Sequence, residues 1–173
     1  MARRGLSLLS LLPILLALTG CGYALVDYPE RDEAIAIAVQ TFENESYEPG
    51  YEIVVADALR REVARRGAMR LVNDAGAAEI LLRGRVADIA TSGRSFSSVV
   101  STLEFAVGVS LDLELIRPGT EIGIDRRALR ARESYLASAD IEVERKNREE
   151  ALRKIAVMLA TRIHDLIWEV APP

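Results

Sequence analysis

Between Thr102 and Leu115 the chain reads Thr102-Leu103-Glu104-Phe105-Ala106-Val107-Gly108-Val109-Ser110-Leu111-Asp112-Leu113-Glu114-Leu115. A large apolar side chain stands at every second position, and Thr102, Glu104, Ser110, Asp112 and Glu114 stand between. Successive side chains of a strand point to opposite faces, so this pattern predicts a long strand with one buried and one wet face. A sheet that is wet on one side is built mostly from antiparallel neighbours. The flanks agree. Pro118-Gly119 offers the central pair of a type II turn, after which 129–137 returns as a strand. Upstream, the small polar run from Thr91 to Ser98 reads as a hairpin tip. It follows a strand from 80 to 90 in which Ile80, Leu82, Gly84 and Val86 share one face against Leu81, Arg83, Arg85 and Ala87.

Further out, Ile35, Ile37 and Val39 alternate with Ala36, Ala38 and Gln40, a strand apolar on both faces and so placed mid-sheet. Residues 42–46 read as a loop, and Pro49-Gly50 precedes a helical period at Tyr51, Val55, Leu59 and Val63 that stops at Gly67. Arg60, Arg61, Arg65 and Arg66 lie off that stripe; they read as a solvated face complementing the helix dipole, with an anion site as the other reading. Leu71-Val72 is a short extended piece before a turn at 73–76. Asn147 with Glu150 forms a capping box for a last helix whose stripe runs through Ala151, Ile155, Met158, Leu159, Ile163, Leu166, Ile167 and Val170. His164 falls on its polar side and is expected in solvent. Neither helix can bury its stripe alone. The expected fold is therefore α+β, a two-layer sandwich in the order β-α-β-β-β-α: a four-stranded mixed sheet with both helices on one face.

The N-terminus has a different character. Arg3 and Arg4 precede an apolar run of 13 residues from Leu6 to Leu18, then Thr19 and Gly20, then Cys21. A membrane-crossing helix needs roughly 20 apolar residues, so residues 1–20 read as a cleaved secretory signal. Leu18-Thr19-Gly20-Cys21 resembles the bacterial lipobox, which implies a diacylglyceryl thioether on the chain's one cysteine and a further acyl chain on the freed amine. Two or more chains give stable anchoring. Gly22 after the cysteine, where an aspartate would retain the protein in the inner membrane, points to the outer membrane. Residues 21–33 would be a lipidated tether, and 34–171 one periplasmic domain. Loss of residues 1–20 removes two of 22 cationic residues against 26 acidic ones, moving the formal balance from -4 to -6. An acidic chain lacks the cationic footprint that nucleic acid requires.

Chemistry is poorly supplied. One cysteine committed to lipid and one histidine leave nothing for a Cys/His zinc site or a Cys-His pair, and no phosphate-loop or nucleophile-elbow motif occurs. No catalytic residue, metal or cofactor is expected, and the chain reads as a non-enzyme. Glu104, Asp112 and Glu114 alternate as a wet sheet face would, and the Asn44-Glu45-Ser46 sequon is discounted for a periplasmic protein. Two features read as binding surfaces. Phe96 beside Arg94 puts an apolar wedge next to a cation in the hairpin tip, the alternative being a ring packed back on its own sheet. Arg126, Arg127, Arg130 and Arg132 could join Arg83 and Arg85 in a basic strip suited to phosphate, or be balanced by the carboxylates across the sheet. Trp168 is a further contact candidate, or a cover for the sheet's end.

In order along the chain, Leu18-Thr19-Gly20-Cys21-Gly22-Tyr23, Ile37-Ala38-Val39-Gln40-Thr41-Phe42-Glu43-Asn44, Glu48-Pro49-Gly50-Tyr51-Glu52, Ala78 to Val86, Glu133-Ser134-Tyr135 and Asn147 to Leu152 resemble the lipopolysaccharide-assembly lipoprotein LptE family. The resemblance spans nearly all of the chain after residue 20. It implies a domain plugged into the LptD β-barrel of the outer membrane, helping that barrel assemble and helping lipopolysaccharide reach the outer leaflet. Its ligand contacts would be basic residues, here Arg94, Arg127 and Arg130 by position and charge, with Phe96 and Trp168 at the partner interface. Other envelope lipoproteins, of curli secretion or of penicillin-binding-protein activation, share segments like Ile37 to Asn44; that resemblance implies a pore subunit or a synthase activator instead.

Overall fold

The computed structural model describes residues 34–96, 102–119 and 123–171; the signal segment, Cys21 and the tether lie outside them. The sheet has six strands, not four. The extra two, β2 and β3 below, are two and three residues long, too short for any periodicity to betray. Its order is β3-β1-β4-β5-β6, with β2 beside β4.

β1 (Ile35–Val39) lies between two parallel neighbours, pairing Ile35 with Met69 of β3 (Met69–Leu71) and Ile37 with Ile80 of β4 (Ile80–Phe96). Both its faces are buried. Ile35 and Ile37 enter the main core, whereas Ala38 packs with Ala78 and Leu81 behind the sheet, near the 3-10 turn Ala75–Ala77. After Val39 the chain leaves the ladder, and it resumes as β2 (Glu43–Asn44), parallel to Arg85 and Val86 of β4. At the break Phe42 turns inward, 3% exposed, so it belongs to the core and not to a free loop.

The ring of Phe42 lies over Gly84, where a Cβ would stand 2.9 Å from ring carbons. Gly84 is therefore required by its neighbour, and not by backbone freedom. Gly84→Ala is expected to lower stability by about 1–3 kcal/mol, read as an earlier urea midpoint, because a flat ring wedged in a packed core cannot give way cheaply.

α1 (Tyr51–Arg66) starts after Gly50 (φ 84°) and ends at Gly67 (φ 71°), whose N–H donates to the Val63 carbonyl at 3.1 Å. Both glycines hold left-handed backbone that other residues adopt only under strain. The expected stripe of Tyr51, Val55, Leu59 and Val63 is buried, and the Tyr51 hydroxyl donates to the Leu152 carbonyl of the last helix at 3.1 Å.

β4, β5 (Thr102–Ile116) and β6 (Gly123–Leu136) form an antiparallel meander. The polar run read as a hairpin tip continues β4 instead, through bulges near Asp88 and Ser95, until Phe96 pairs with Thr102. β6 begins at Gly123, six residues before the expected start, because its first half is mostly polar and is held by the backbone ladder, the Arg126–Glu114 bridge and only Ile124 and Leu129 against the core. Arg162 reaches across from the last helix to donate to the Arg130 carbonyl on the outer edge of β6, at 2.6 Å.

α2 (Ile141–Val170) also starts early. Asp140 is its cap, accepting from the backbone N–H groups of Glu142 and Val143, whereas Asn147 lies inside the helix and donates to the Leu136 carbonyl. The first turns stand clear of the sheet and show no apolar stripe. Arg145, paired with both Glu142 and Glu149, supports them at helical spacing. Both helices bury their stripes in one cluster with Ile35, Ile37, Ile80, Leu82, Val86 and alternate residues of β5 from Val107 to Leu115. Among the described residues no helix packs on the opposite face of the meander.

Candidate functional site: the open face of the sheet

Directly paired residues of an antiparallel ladder share a face. Arg83 pairs with Glu114 and Arg85 with Asp112; Glu114 pairs with Arg126, Ser110 with Arg130, Gly108 with Arg132 and Ala106 with Ser134. Their neighbours along β5 are the buried Val107, Val109, Leu111 and Leu113. The arginines at 83, 85, 126, 130 and 132 therefore all stand on the helix-free face.

That face has two ends of different electrostatics. At one end, a hollow of about 560 Å³ runs between β2, β4, β5 and β6; Arg85 and Arg126 there are bridged to carboxylates, and Arg83 is held by a neutral amide. Arg85 bridges Asp112 at 2.8 Å and Glu45 at 3.1 Å, Arg126 bridges Glu114 at 2.6 Å, and the Arg83 Nε donates to Gln40 at 2.8 Å. At the other end, Arg94 donates to the Ser134 hydroxyl and lies 3.5 Å from the Glu104 carboxylate. Arg94, Arg132, Ser92 and Ser134 line a second hollow of about 760 Å³. Among the described residues the side chains of Arg130 and Arg132 have no ion pair, and the Arg132 guanidinium lies over Gly108, where a Cβ would meet its Nε at 3.7 Å.

The carboxylates of β5 are thus partners for arginines. Two or three guanidinium groups, only one of them bridged to a carboxylate, are chemistry for holding an anion by forked hydrogen bonds. Among the described residues no group of His, Cys, Asp and Glu side chains is placed to hold a metal ion.

Arg127 is set apart from the other two candidate ligand residues. It pairs with the buried Leu113, which puts it on the helix side, and its Nε is bound to Asp125 at 2.7 Å. Arg132, which the 126/128/130/132 alternation of β6 could have singled out, takes its place beside Arg94 and Arg130. Phe96 is the last residue of β4, opposite Thr102. Trp168 is half-buried against the core.

A second polar cluster lies between the helices. Glu62, 7% exposed, pairs with Arg66 at 2.7 Å and Arg65 at 2.8 Å, and accepts from the Thr161 hydroxyl at 3.2 Å. The hydrogen bond from Arg65 is the main cause that holds its carboxyl down at about 2. Arg66 also reaches Asp165 at 2.6 Å and the His164 Nδ1 at 3.2 Å. His164 is 1% exposed, which corrects its expected place in solvent: α2 rolls this position toward α1. Burial, and then the Arg66 charge, push its pKa below 6.5. Arg60 is bound to Asp57, so three of the four arginines read as a solvated face are engaged with carboxylates.

With the geometry in place, comparison with known proteins assigns the chain. The family described as LptE, lipopolysaccharide-assembly, matches residues 36–167. The chain belongs to the LptE family. Solved structures with this fold include the rare lipoprotein B from Shewanella oneidensis (16% identical, TM-score 0.54, covering 74% of this chain and 93% of that one). A minor lipoprotein from Acinetobacter baumannii is similar (16%, 0.53, 82% and 98%), as is an uncharacterized lipoprotein B from Nitrosomonas europaea (16%, 0.54, 79% and 87%). At these identities they show the fold alone. No curated protein sequence matches the chain. LptE proteins are non-enzymatic lipoproteins of lipopolysaccharide transport, and the sheet-and-two-helix fold agrees with that membership. No helix among the described residues is long and apolar enough to cross a membrane.

Proposed function

We propose that this chain is an outer-membrane lipoprotein, anchored through Cys21, that plugs and helps assemble an LptD-type β-barrel and assists delivery of lipopolysaccharide to the outer leaflet. The observation that carries this reading is the open face of β4, β5 and β6, where Arg94 and Arg132 line one hollow and Arg130 stands two residues along β6 from Arg132 on the same face. Lipopolysaccharide presents phosphates and carboxylates, which guanidinium forks match. A site of this kind binds and releases its cargo without breaking a bond. Family membership supports the transport role, and the fold supplies a rigid sheet on which to set the cations.

The test is charge reversal at Arg130 and Arg132, neither of which has a carboxylate partner among the described residues. Arg130→Glu with Arg132→Glu is expected to weaken binding of purified lipopolysaccharide about tenfold or more, with little change in thermal midpoint, since both side chains are exposed. Unchanged lipopolysaccharide binding would remove this face from the mechanism. Copurification of the full chain with an outer-membrane barrel tests the other half. A tagged chain that returns no barrel from solubilised outer membranes contradicts the plug.

A further inference from the structure

Three aromatic residues occur within ten positions, and the fold treats the middle one differently. Phe42 and Tyr51 are each 3% exposed, whereas Tyr47 between them is 101% exposed. Flexibility does not explain it, because the residues on both sides are fixed. Asn44 donates to the Glu48 carbonyl at 2.9 Å and to the Glu52 carboxylate at 2.6 Å, and its own Oδ1 accepts from the Ser46 N–H at 2.9 Å and the Ser46 hydroxyl at 2.7 Å. The Ser46 hydroxyl accepts from the Glu48 N–H at 3.3 Å, and the Glu48 carboxylate is pinned to Arg148 of α2 at 2.7 Å. Every polar group of the Asn44 side chain is used to hold a turn whose apex is a bare phenol ring.

We infer that the loop from Asn44 to Gly50 is a preformed docking element that inserts Tyr47 into an apolar slot, bordered by cations, on the barrel partner. The inference rests on the barrel reading above and names a contact within it. A rigid aromatic loses little conformational freedom on binding and buries much apolar area, which is why such residues dominate interface energetics. The loop's charge selects the border of the slot. Glu43, Glu45, Glu48 and Glu52 flank Tyr47 in sequence; Glu45 and Glu48 are bridged to Arg85 and Arg148, and among the described residues Glu43 and Glu52 have no ion pair. The negative charge these two leave on the loop favours Lys or Arg opposite it and disfavours an acidic surface.

The experiment uses the full-length chain, tagged and coexpressed with the LptD-type barrel of the same cell. Tyr47→Ala is expected to lower the barrel recovered per tagged chain about tenfold or more, while the thermal midpoint of the purified chain stays at the wild-type value. Wild-type recovery is expected to fall as salt is raised, and less steeply for Glu43→Gln. Wild-type recovery of the barrel with equal recovery by Tyr47→Ala overturns the docking role and leaves the proposed function standing. A fall in the Tyr47→Ala midpoint assigns the ring to stability and overturns it as well. Recovery indifferent to salt overturns the cationic border. Absence of barrel from the wild-type sample overturns the proposed function, and this inference falls with it.

Discussion

Glu62→Gln is expected to destabilise the domain by about 3 kcal/mol, the lower end of what breaking a buried ion pair costs. Glu62 holds two guanidinium groups and a hydroxyl between the helices, and the amide would leave Arg66 half-buried beside a neutral partner. The lower end applies because Arg65 is 65% exposed and water screens its share. The same residue shapes the response to acid. Its folded pKa, about 2, lies under the ordinary 4.5, so its contribution is complete above pH 4.5 and is lost as pH falls toward 2. His164 acts in a higher window with the same sign. Arg66 donates to its Nδ1, which must then be unprotonated, and the folded pKa lies below 6.5. The unfolded chain therefore takes up a proton before the native one does, and stability declines as pH drops below 6.5. Denaturant midpoints measured between pH 8 and pH 3 should show two successive losses in the wild type. Glu62→Gln should lack the lower one and His164→Gln the upper. A wild-type profile flat from pH 8 to pH 5 would show that the imidazole contributes nothing of the kind.

Cys21→Ala is expected to move the protein wholly out of the outer-membrane fraction, as the processed domain or as its uncleaved precursor. Each buried methylene of an acyl chain is worth about 0.8 kcal/mol, so two or three chains bind far more firmly than surface charge on an acidic protein can. The check is fractionation together with metabolic lipid labelling. Unchanged sedimentation with the outer membrane and undiminished label would exclude the thioether anchor.

How much of this was legible before the structure follows from where the hydrophobic signal is strong. β5 could be read residue by residue, because seven apolar side chains in alternation leave only one way to bury them. The stripes of both helices were equally plain. What escaped were stretches with little burial: the distal part of β4 from Thr91, the first half of β6, where only Ile124 and Leu129 touch the core, and the first two turns of α2. Their side chains meet water or other charges, so composition mimics a loop. β2 is hidden for another reason, since Phe42 beside it looks like loop punctuation until Gly84 is known to lie beneath its ring. At the candidate site, the cationic strip and its balancing carboxylates were visible in sequence, and alternation along β6 separates Arg127 from Arg130 and Arg132. Which of the two sides lies away from the helices depends on the start of β6 and its pairing with β5. His164 misled because the stripe of α2 was drawn toward the sheet alone, whereas α1 gives the helix a second partner.

A meander whose last strand runs for fourteen residues with no neighbour beyond it among the described residues presents a row of unpaired backbone groups to which a further strand can add. The guanidinium of Arg162, seated on the Arg130 carbonyl, removes one rung from that row, and the charged side chains along Gly123–Leu136 make stacking of like copies repulsive. The same arginine that fastens a helix to the sheet thereby also occupies part of the edge along which a further strand would add.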